Sequence, residues 1–255
     1  LWRELAAVYE GDRERLKAGS QITDAVAYVR LCRDIAGIAE TRLGDPKRAL
    51  DALKAALEVE PTNSGLLAEA ERVALEGKKP ALWPVLFECF DLPLASASSE
   101  ERAVLYLRRA MLREKEARDP KASLDDLLNA FSWGYRRPDI REALYDFGDR
   151  HPGHWNEILT VETALALRAN SPAEQIEILR RQAIALEEKA KDSIQAFRTH
   201  ISAFILDPRD DESIQHLWRL ARAIGSYSGE QRTPKPAIPA AHIEESTAAS
   251  SMPLA

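Results

Sequence analysis

The sequence predicts an all-α protein, built as a right-handed solenoid of stacked antiparallel helical hairpins. The chain of 255 residues contains 40 Ala and 31 Leu but only 8 Val, a composition that favours helices over strands. Proline and glycine breaks separate stretches of about 12–20 residues, the usual length of one helix in a globular protein. No stretch alternates apolar and polar residues with a period of two, so we predict no strands.

A repeat of about 73 residues runs through the chain and is the basis for the solenoid prediction. Segments 44–61, 118–135 and 191–208 align without gaps on Asp45, Asp119 and Asp192. The matched positions hold small residues in one set and large residues in another, as closely packed helices require. The small positions are Ala49, Ser123 and Ala196, then Ala56, Ala130 and Ala203; the large ones are Leu50, Leu124 and Phe197.

Tryptophans mark the other half of each unit. Trp83 and Trp155 occupy matching positions, and Trp2 looks like an earlier copy. Each complete unit therefore holds about four helices, and the chain holds about 13. We predict a repeat domain over 1–225, with a partial unit at 1–23 and units at about 24–97, 98–170 and 171–225. Residues 226–255 are rich in Pro, Ala and Ser and poor in large apolar residues, so we predict a disordered tail there.

The aligned helices carry a pattern that resembles the second helix of a tetratricopeptide repeat, Ala-x3-Phe-x2-Ala-x4-Pro. The family's Trp and Tyr positions in the preceding helix are not filled, and the hairpins with the Trp markers diverge further. The resemblance implies a helical-repeat fold similar to that of long degenerate bacterial repeat proteins, with first helices lining a concave groove. The matching residues are Ala49, Leu53, Ala56 and Pro61, then Ser123, Leu127, Ala130 and Tyr135, then Ala196, His200, Ala203 and Pro208.

Composition disfavours several kinds of partner and compartment. Acidic residues outnumber basic ones 41 to 35, which argues against nucleic-acid binding. No apolar run approaches the ~20 residues of a membrane span, so we expect no direct membrane insertion. Cys32 and Cys89 lie in apolar helical patterns and are expected to be buried free thiols, which favours a reducing compartment such as the cytoplasm. Because the chain starts at Leu1 without Met, we expect a fragment or a processed product.

No catalytic motif is present, so we expect neither an enzyme nor a bound cofactor or metal. His151 and His154 flank Pro-Gly, which indicates a solvated turn and not two ligands on one helix face. Neighbouring acidic residues on a helix point in different directions and cannot form a convergent acid–base pair. These pairs are Asp125-Asp126, Glu187-Glu188 and Asp210-Asp211, the last of which is expected to begin a helix.

Arginines on the first helices of the units are the candidate partner-binding residues. Such side chains could bind the carboxylates of a partner peptide, or they could form a solvated face paired with Glu114, Glu116 or Glu187. Clustered aromatic residues could likewise serve the core or a partner surface. The arginines are Arg33, Arg108, Arg109, Arg180 and Arg181, and the aromatic residues are Trp133, Tyr135, Tyr145 and Phe147.

The sequence thus predicts a non-catalytic scaffold that presents a groove to a protein or peptide partner. The alternative is a structural or assembly segment of a larger multi-repeat protein, including one associated with a cell envelope. The sequence leaves the oligomeric state open.

The repeat also predicts the burial of individual side chains. We expect Leu53, Leu57, Leu127, Phe131, Phe204 and Trp155 to fill the hydrophobic seams between helices. His200 replaces the leucine of the earlier copies at Leu53 and Leu127. In the last unit, fewer helices cover the seam. We therefore expect His200 to be partly buried, with a ring nitrogen that reaches solvent or a polar group.

Overall fold

The computed structural model describes residues 1–18 and 21–227, and this part of the chain is all-helical and repeat-like. It contains twelve α-helices and two short 3₁₀ turns, Pro80–Leu82 and Pro152–His154, in place of the predicted 13 or so helices. The α-helices are α1 (Trp2–Arg15), α2 (Ala25–Thr41), α3 (Pro46–Val59), α4 (Ser64–Gly77), α5 (Trp83–Ser96), α6 (Ser99–Lys115), α7 (Pro120–Gly134), α8 (Pro138–Arg150), α9 (Trp155–Ala166), α10 (Pro172–Glu188), α11 (Ser193–Leu206) and α12 (Asp211–Tyr227).

The three aligned aspartates begin α3, α7 and α11 with the same local geometry. The carboxylates of Asp45, Asp119 and Asp192 accept hydrogen bonds from the backbone N–H three residues on, at 3.1, 3.0 and 2.9 Å. These bonds satisfy amides that the first helical turn would leave unpaired. The residue before each aspartate is left-handed, with φ of 62°, 56° and 58° at Gly44, Arg118 and Lys191.

The marker tryptophans are also equivalent in structure. Trp2, Trp83 and Trp155 are each the first residue of a helix, and a 3₁₀ turn that begins with proline precedes the second and third. Trp83 and Trp155 are buried, whereas Trp2 is partly exposed and stacks under the Arg42 guanidinium. Proline at the first position of such a turn loses no needed hydrogen bond, which explains why these turns recur there.

The prediction of no strands is wrong at one short loop. Between α1 and α2, the backbone forms a two-residue antiparallel ladder of β1 (Lys17–Ala18) and β2 (Gln21–Ile22). The backbone N–H of Thr23 extends the loop's hydrogen bonding by donating to the Leu16 carbonyl at 2.9 Å. A two-residue strand is too short to produce an alternating pattern, so periodicity could not reveal it.

Helices pack mainly on their neighbours in sequence. The most extensive contacts join α2 with α3, α6 with α7, and α10 with α11, and further contacts join α3 with α5 and α7 with α9. The small residues of the repeat lie at these contacts: Ala49, Ser123, Ala196, Ala56, Ala130 and Ala203 are all fully buried. Removing bulk at these positions lets the helix axes approach, as the repeat predicted.

The predicted seam residues are buried with one exception. Leu53, Leu57, Leu127, Phe131 and Trp155 are core residues, but Phe204 on α11 is only half-buried. In the described residues, α12 is the only helix that follows α11, so the outer side of α11 has less cover than its counterparts.

Both cysteines are buried free thiols, as predicted. Burial raises the pKa of Cys89 to about 12, so this thiol stays protonated and unreactive at neutral pH.

The predicted tail falls largely outside the described residues. Its first two residues, 226 and 227, belong to α12, which ends at Tyr227. Residues 228–255 lie beyond the part of the chain that the structure describes.

The expectation for His200 is wrong in its burial. The side chain is fully buried, and neither ring nitrogen has a hydrogen-bond partner in the described part of the chain. Its ring stacks on His216 of α12, with centroids 4.7 Å apart and planes 10° from parallel. The cover comes from α12, which lies over the ring and closes the route to solvent.

Because His200 is buried, its protonation in mild acid lowers the stability of the folded protein. Burial lowers the pKa of His200 to about 4; the neighbouring His216, Arg219 and Arg180 act in the same direction, and Glu187 opposes this only in part. The unfolded chain, with a histidine pKa near ~6.5, then binds more protons than the folded one between pH 6.5 and 4. The contribution of His200 to the free energy of unfolding is fully present above the pKa of histidine in the unfolded chain, and it is lost as the pH falls toward 4.

We therefore expect the free energy of unfolding to fall by about 2 kcal/mol between pH 7 and pH 5 through His200 alone. His200→Leu should remove this component and hold or raise stability at pH 5, because it buries no unpaired nitrogen. His154→Ala, at a partly exposed histidine, is the matched control. Urea unfolding at both pH values measures the effect. An unchanged pH dependence in His200→Leu would contradict the expectation.

Candidate functional site

Ion pairs link the even-numbered helices to one another in order along the chain. Each pair joins residues 30 to 40 positions apart in sequence, so each bridges successive even-numbered helices. We call these pairs the even-helix ladder. It consists of Arg33–Glu69 and Arg72–Glu40 between α2 and α4, Arg108–Glu71 between α4 and α6, Arg150–Glu114 between α6 and α8, Lys189–Asp149 between α8 and α10, and Arg180–Asp210 and Arg219–Glu187 at α10 and α12.

The ladder is made of long side chains because the even-numbered helices have few close backbone contacts with one another. Arg150 binds both oxygens of Glu114 at 2.9 Å, and Arg72 binds both oxygens of Glu40 at 2.6 and 2.8 Å. The guanidinium of Arg72 lowers the pKa of Glu40 below its ordinary value. Most members are partly exposed, so each pair contributes little stability by itself.

Three of the five predicted arginines belong to this ladder. Arg33 is the most exposed, with its Nε 3.3 Å from Glu69 and its side chain 59% exposed. Arg108 binds Glu71, whose pKa is raised by burial. Arg180 binds Asp210, and these contacts hold the pKa of Asp210 well below its usual range.

Arg109 lies inside the protein. Its Nε and Nη2 donate to the two oxygens of Asp126 on α7 at 2.9 and 2.7 Å, and its Nη1 donates to Asp91 on α5 at 2.5 Å. The Arg109 side chain is 8% exposed and that of Asp126 is 3% exposed. This bidentate bridge joins α5, α6 and α7, so the guanidinium is used within the fold.

Arg181 lies beside a buried carboxylate. Its Nε is 3.7 Å from Glu162 of α9, which is fully buried and accepts a hydrogen bond from the Tyr145 hydroxyl at 2.8 Å. Burial raises the pKa of Glu162, and burial with the adjacent Glu162 charge raises that of Tyr145. Arg181 is therefore loosely paired and retains capacity for another acceptor.

The partners that the sequence suggested for the arginines differ from those in the structure. Glu114 binds Arg150 and His151, and Glu187 binds Arg219. The pairs Arg108-Arg109 and Arg180-Arg181 also do not occupy equivalent positions in their helices, because they are offset by one residue. Because Ser98 and Ser171 cap α6 and α10, Arg108 is equivalent to Arg181 and Arg109 to Gln182.

Clefts lined by arginines open beside the even-numbered helices at three places in the described residues, and each also contains two acidic residues. One of about 360 Å³, between α2 and the α3–α4 connection, holds Arg30 and Arg33 with Asp34 and Glu60. One of about 430 Å³, between α4 and α6, holds Arg108 and Arg137 with Glu100 and Glu101. A smaller one of about 150 Å³, between α8 and α10, holds Arg136, Arg141 and Arg181 with Glu174 and Glu177.

Arg30 and Arg141 line these clefts and were not among the predicted residues. Within the described chain, neither side chain makes a hydrogen bond or an ion pair. The sequence contained a signal for Arg141, because no acidic residue lies three or four positions from it. It contained none for Arg30, since Asp34 lies four positions on without binding it.

The remaining candidates have structural surroundings. His151 contacts Glu114 at 3.2 Å and His154 contacts Glu157 at 3.1 Å, and across the described residues no three His, Cys, Asp or Glu side chains cluster as metal ligands do. Phe147 is in the core, and Tyr135 and Tyr145 are half-buried. Trp133 is 43% exposed, with the Arg102 guanidinium 4.9 Å from its ring centroid. Asp126 is buried, and Asp210 caps α12 by accepting from the Ser213 N–H at 3.1 Å.

The fold and these clefts define an all-helical, repeat-like protein with a line of arginine-bearing clefts along its even-numbered helices. No helix in the described part of the chain is long and apolar enough to cross a membrane. Compared with known proteins, the chain matches no family model and no curated protein.

Proposed function

We propose that this protein is a non-catalytic scaffold that binds an acidic segment of a protein partner along its even-numbered helices. The observation that carries the proposal is the presence of three clefts beside the even-numbered helices, each lined by at least two arginines. The repeated helix starts and the neighbour-to-neighbour packing support a right-handed solenoid of the tetratricopeptide type, in which these helices form one continuous face.

The arginines at these clefts differ in how available they are to a partner. Within the described residues, Arg30 and Arg141 form no ion pair, although the charge of Arg141 acts on the buried Glu162, and Arg181 holds its partners only at 3.7 Å. A carboxylate from a partner can bind them without breaking an internal pair. Guanidinium groups favour planar, bidentate binding of carboxylates, which makes an acidic peptide the best-matched ligand. Since the whole chain carries a net charge of −6, this attraction is local and weakens with salt.

A comparison of partner capture tests the proposal. We expect full-length wild-type protein to capture at least one partner that the double variant Arg30→Glu with Arg141→Glu captures at least fivefold less. Arg168→Glu, at an exposed arginine outside these clefts, is the matched control and should capture as wild type does. Quantitative mass spectrometry at low and high salt is the measurement. If every captured protein is retained by the double variant, the arginine clefts are not the binding face.

A second candidate function is assembly into a larger structure, and exposed apolar side chains on the last two helices of the described chain favour it. On α11 and α12, Ile205 is 69% and Trp218 is 65% exposed, next to the partly exposed Leu206. Light scattering of wild type and Trp218→Ser distinguishes the two functions. Self-association of the wild type that Trp218→Ser abolishes would support assembly. If both proteins are monomeric, assembly is excluded and the scaffold proposal is retained.

A further inference from the structure

A fourth cleft lies on the odd-numbered helices, between α9 and α11 with α10 as its floor. Its volume is about 580 Å³. Hydroxyl and amide side chains form both walls: Asn156, Thr160 and Thr163 from α9, and Gln195, Thr199 and Ser202 from α11. Leu159, Leu179 and Leu186 form an apolar base, with Gln182 among them.

In the preceding repeat unit, the region equivalent to this cleft lies between α5 and α7 and is filled by side chains. Counted from the matching helix starts, Gln182 is equivalent to Arg109, Thr163 to Asp91 and Thr199 to Asp126. Between α5 and α7, the Arg109 bridge to the two aspartates ties the helices together. Between α9 and α11, the equivalent side chains are short and uncharged, and the space between the helices stays open.

The polar groups of the cleft do not all have their hydrogen bonds filled by the described residues. Gln182 is 4% exposed, and its Nε2 donates to the Leu159 carbonyl at 3.1 Å and to the Thr163 hydroxyl. Its Oε1 is buried and accepts no hydrogen bond from the described residues. The wall hydroxyls each donate to a carbonyl of their own helix, for example Thr160 at 2.7 Å and Thr199 at 2.9 Å. They therefore face the cleft as solvent-accessible acceptors, of which Thr163 already accepts from Gln182. The costly group is Gln182 Oε1, a buried acceptor without a donor among the described residues.

The cleft therefore matches a ligand that carries no charge and presents hydrogen-bond donors to the wall hydroxyls and acceptors to the amides of Asn156 and Gln195. Its charged lining residues are Asp192, which caps α11, and Arg198, and their charges are opposite. An extended peptide presents N–H groups along one edge about every 6.6 Å. Wall residues four apart on a helix, such as Asn156 and Thr160, are separated by about 6 Å along its axis. A helical ligand would not match, because its own backbone uses its N–H groups.

We propose that the cleft between α9 and α11 binds an uncharged, extended peptide segment through that segment's backbone. Donor groups of the peptide bond to Gln182 Oε1 and to the wall hydroxyls, and its side chains rest on the apolar base. This site is separate from the arginine clefts and does not depend on the proposed function.

The test uses random uncharged octapeptides displayed on phage as the probe. Selection is done on the full-length protein after depletion on a filled variant, Thr163→Asp with Gln182→Arg and Thr199→Asp, which copies the ion bridge of the preceding unit. We expect enriched sequences whose synthetic peptides bind wild type at least tenfold more tightly than the filled variant, by fluorescence anisotropy. N-methylation at alternate peptide positions should abolish binding.

Single variants keep the proposal falsifiable if the filled variant does not fold. Gln182→Leu removes the buried acceptor and should weaken binding at least tenfold, whereas Arg168→Glu, at an exposed arginine that does not line the cleft, should leave it unchanged. Enrichment of no peptide, or of peptides whose affinity is unaffected by Gln182→Leu or by N-methylation, would overturn the proposal. Loss of binding in Arg168→Glu would overturn it too, by placing the peptide outside the cleft.

Discussion

Replacing Asp126 with asparagine is expected to lower the free energy of unfolding by about 3 kcal/mol. Asp126 and Arg109 are both buried, and two hydrogen bonds at 2.7 and 2.9 Å join them. The asparagine keeps the shape of the side chain but removes the charge that balances the guanidinium. Leaving one member of a buried ion pair without its partner costs far more than an intact pair contributes. Urea unfolding followed by circular dichroism measures the loss.

Asp91 supplies a matched control for this prediction. It binds the same guanidinium at 2.5 Å, but its side chain is 65% exposed, and water replaces it readily. Asp91→Asn should therefore cost less than about 1 kcal/mol. The double variant Arg109→Leu with Asp126→Leu should recover part of the stability that Asp126→Asn loses, because the Arg109 charge is removed with that of Asp126 and only Arg113, 19% exposed, loses its carboxylate. Equal losses at Asp91 and Asp126 would show that burial does not govern the bridge.

Phe131→Ala is expected to cost about 4 kcal/mol. The ring is 2% exposed, in a core cluster that includes Leu127, Ile140 and Leu144. Removing it forfeits its transfer free energy and leaves a cavity that rigid helices close only in part.

Phe204 tests whether the size of that loss follows burial. This phenylalanine occupies the matching position on α11 but is only half-buried, so Phe204→Ala should cost about half as much. Both variants are measured by the same urea titration. A loss below about 1 kcal/mol at Phe131 would mean that the ring is accessible in solution and is available to a partner.

Local signals in the sequence determined where the helices lie and how they repeat. Asp45, Asp119 and Asp192 predicted three helix starts, and the structure shows the same capping bond at each. A helix start depends on hydrogen bonds within three or four residues, so its cause is contained in the nearby sequence. The burial of the small positions, such as Ala56 and Ala130, followed from the same repeat.

The tertiary structure decided which side chains meet, and therefore what the surfaces can bind. The sequence ranked Arg108 and Arg109 together, yet neighbouring residues on a helix differ by about 100° in direction. One consequently joins the partly exposed ladder, and the other is buried between α5 and α7. The ladder pairs and the open cleft at Gln182 both depend on residues 20 to 40 positions away. Side-chain distances across packed helices set such contacts, and no pattern within a single helix contains them.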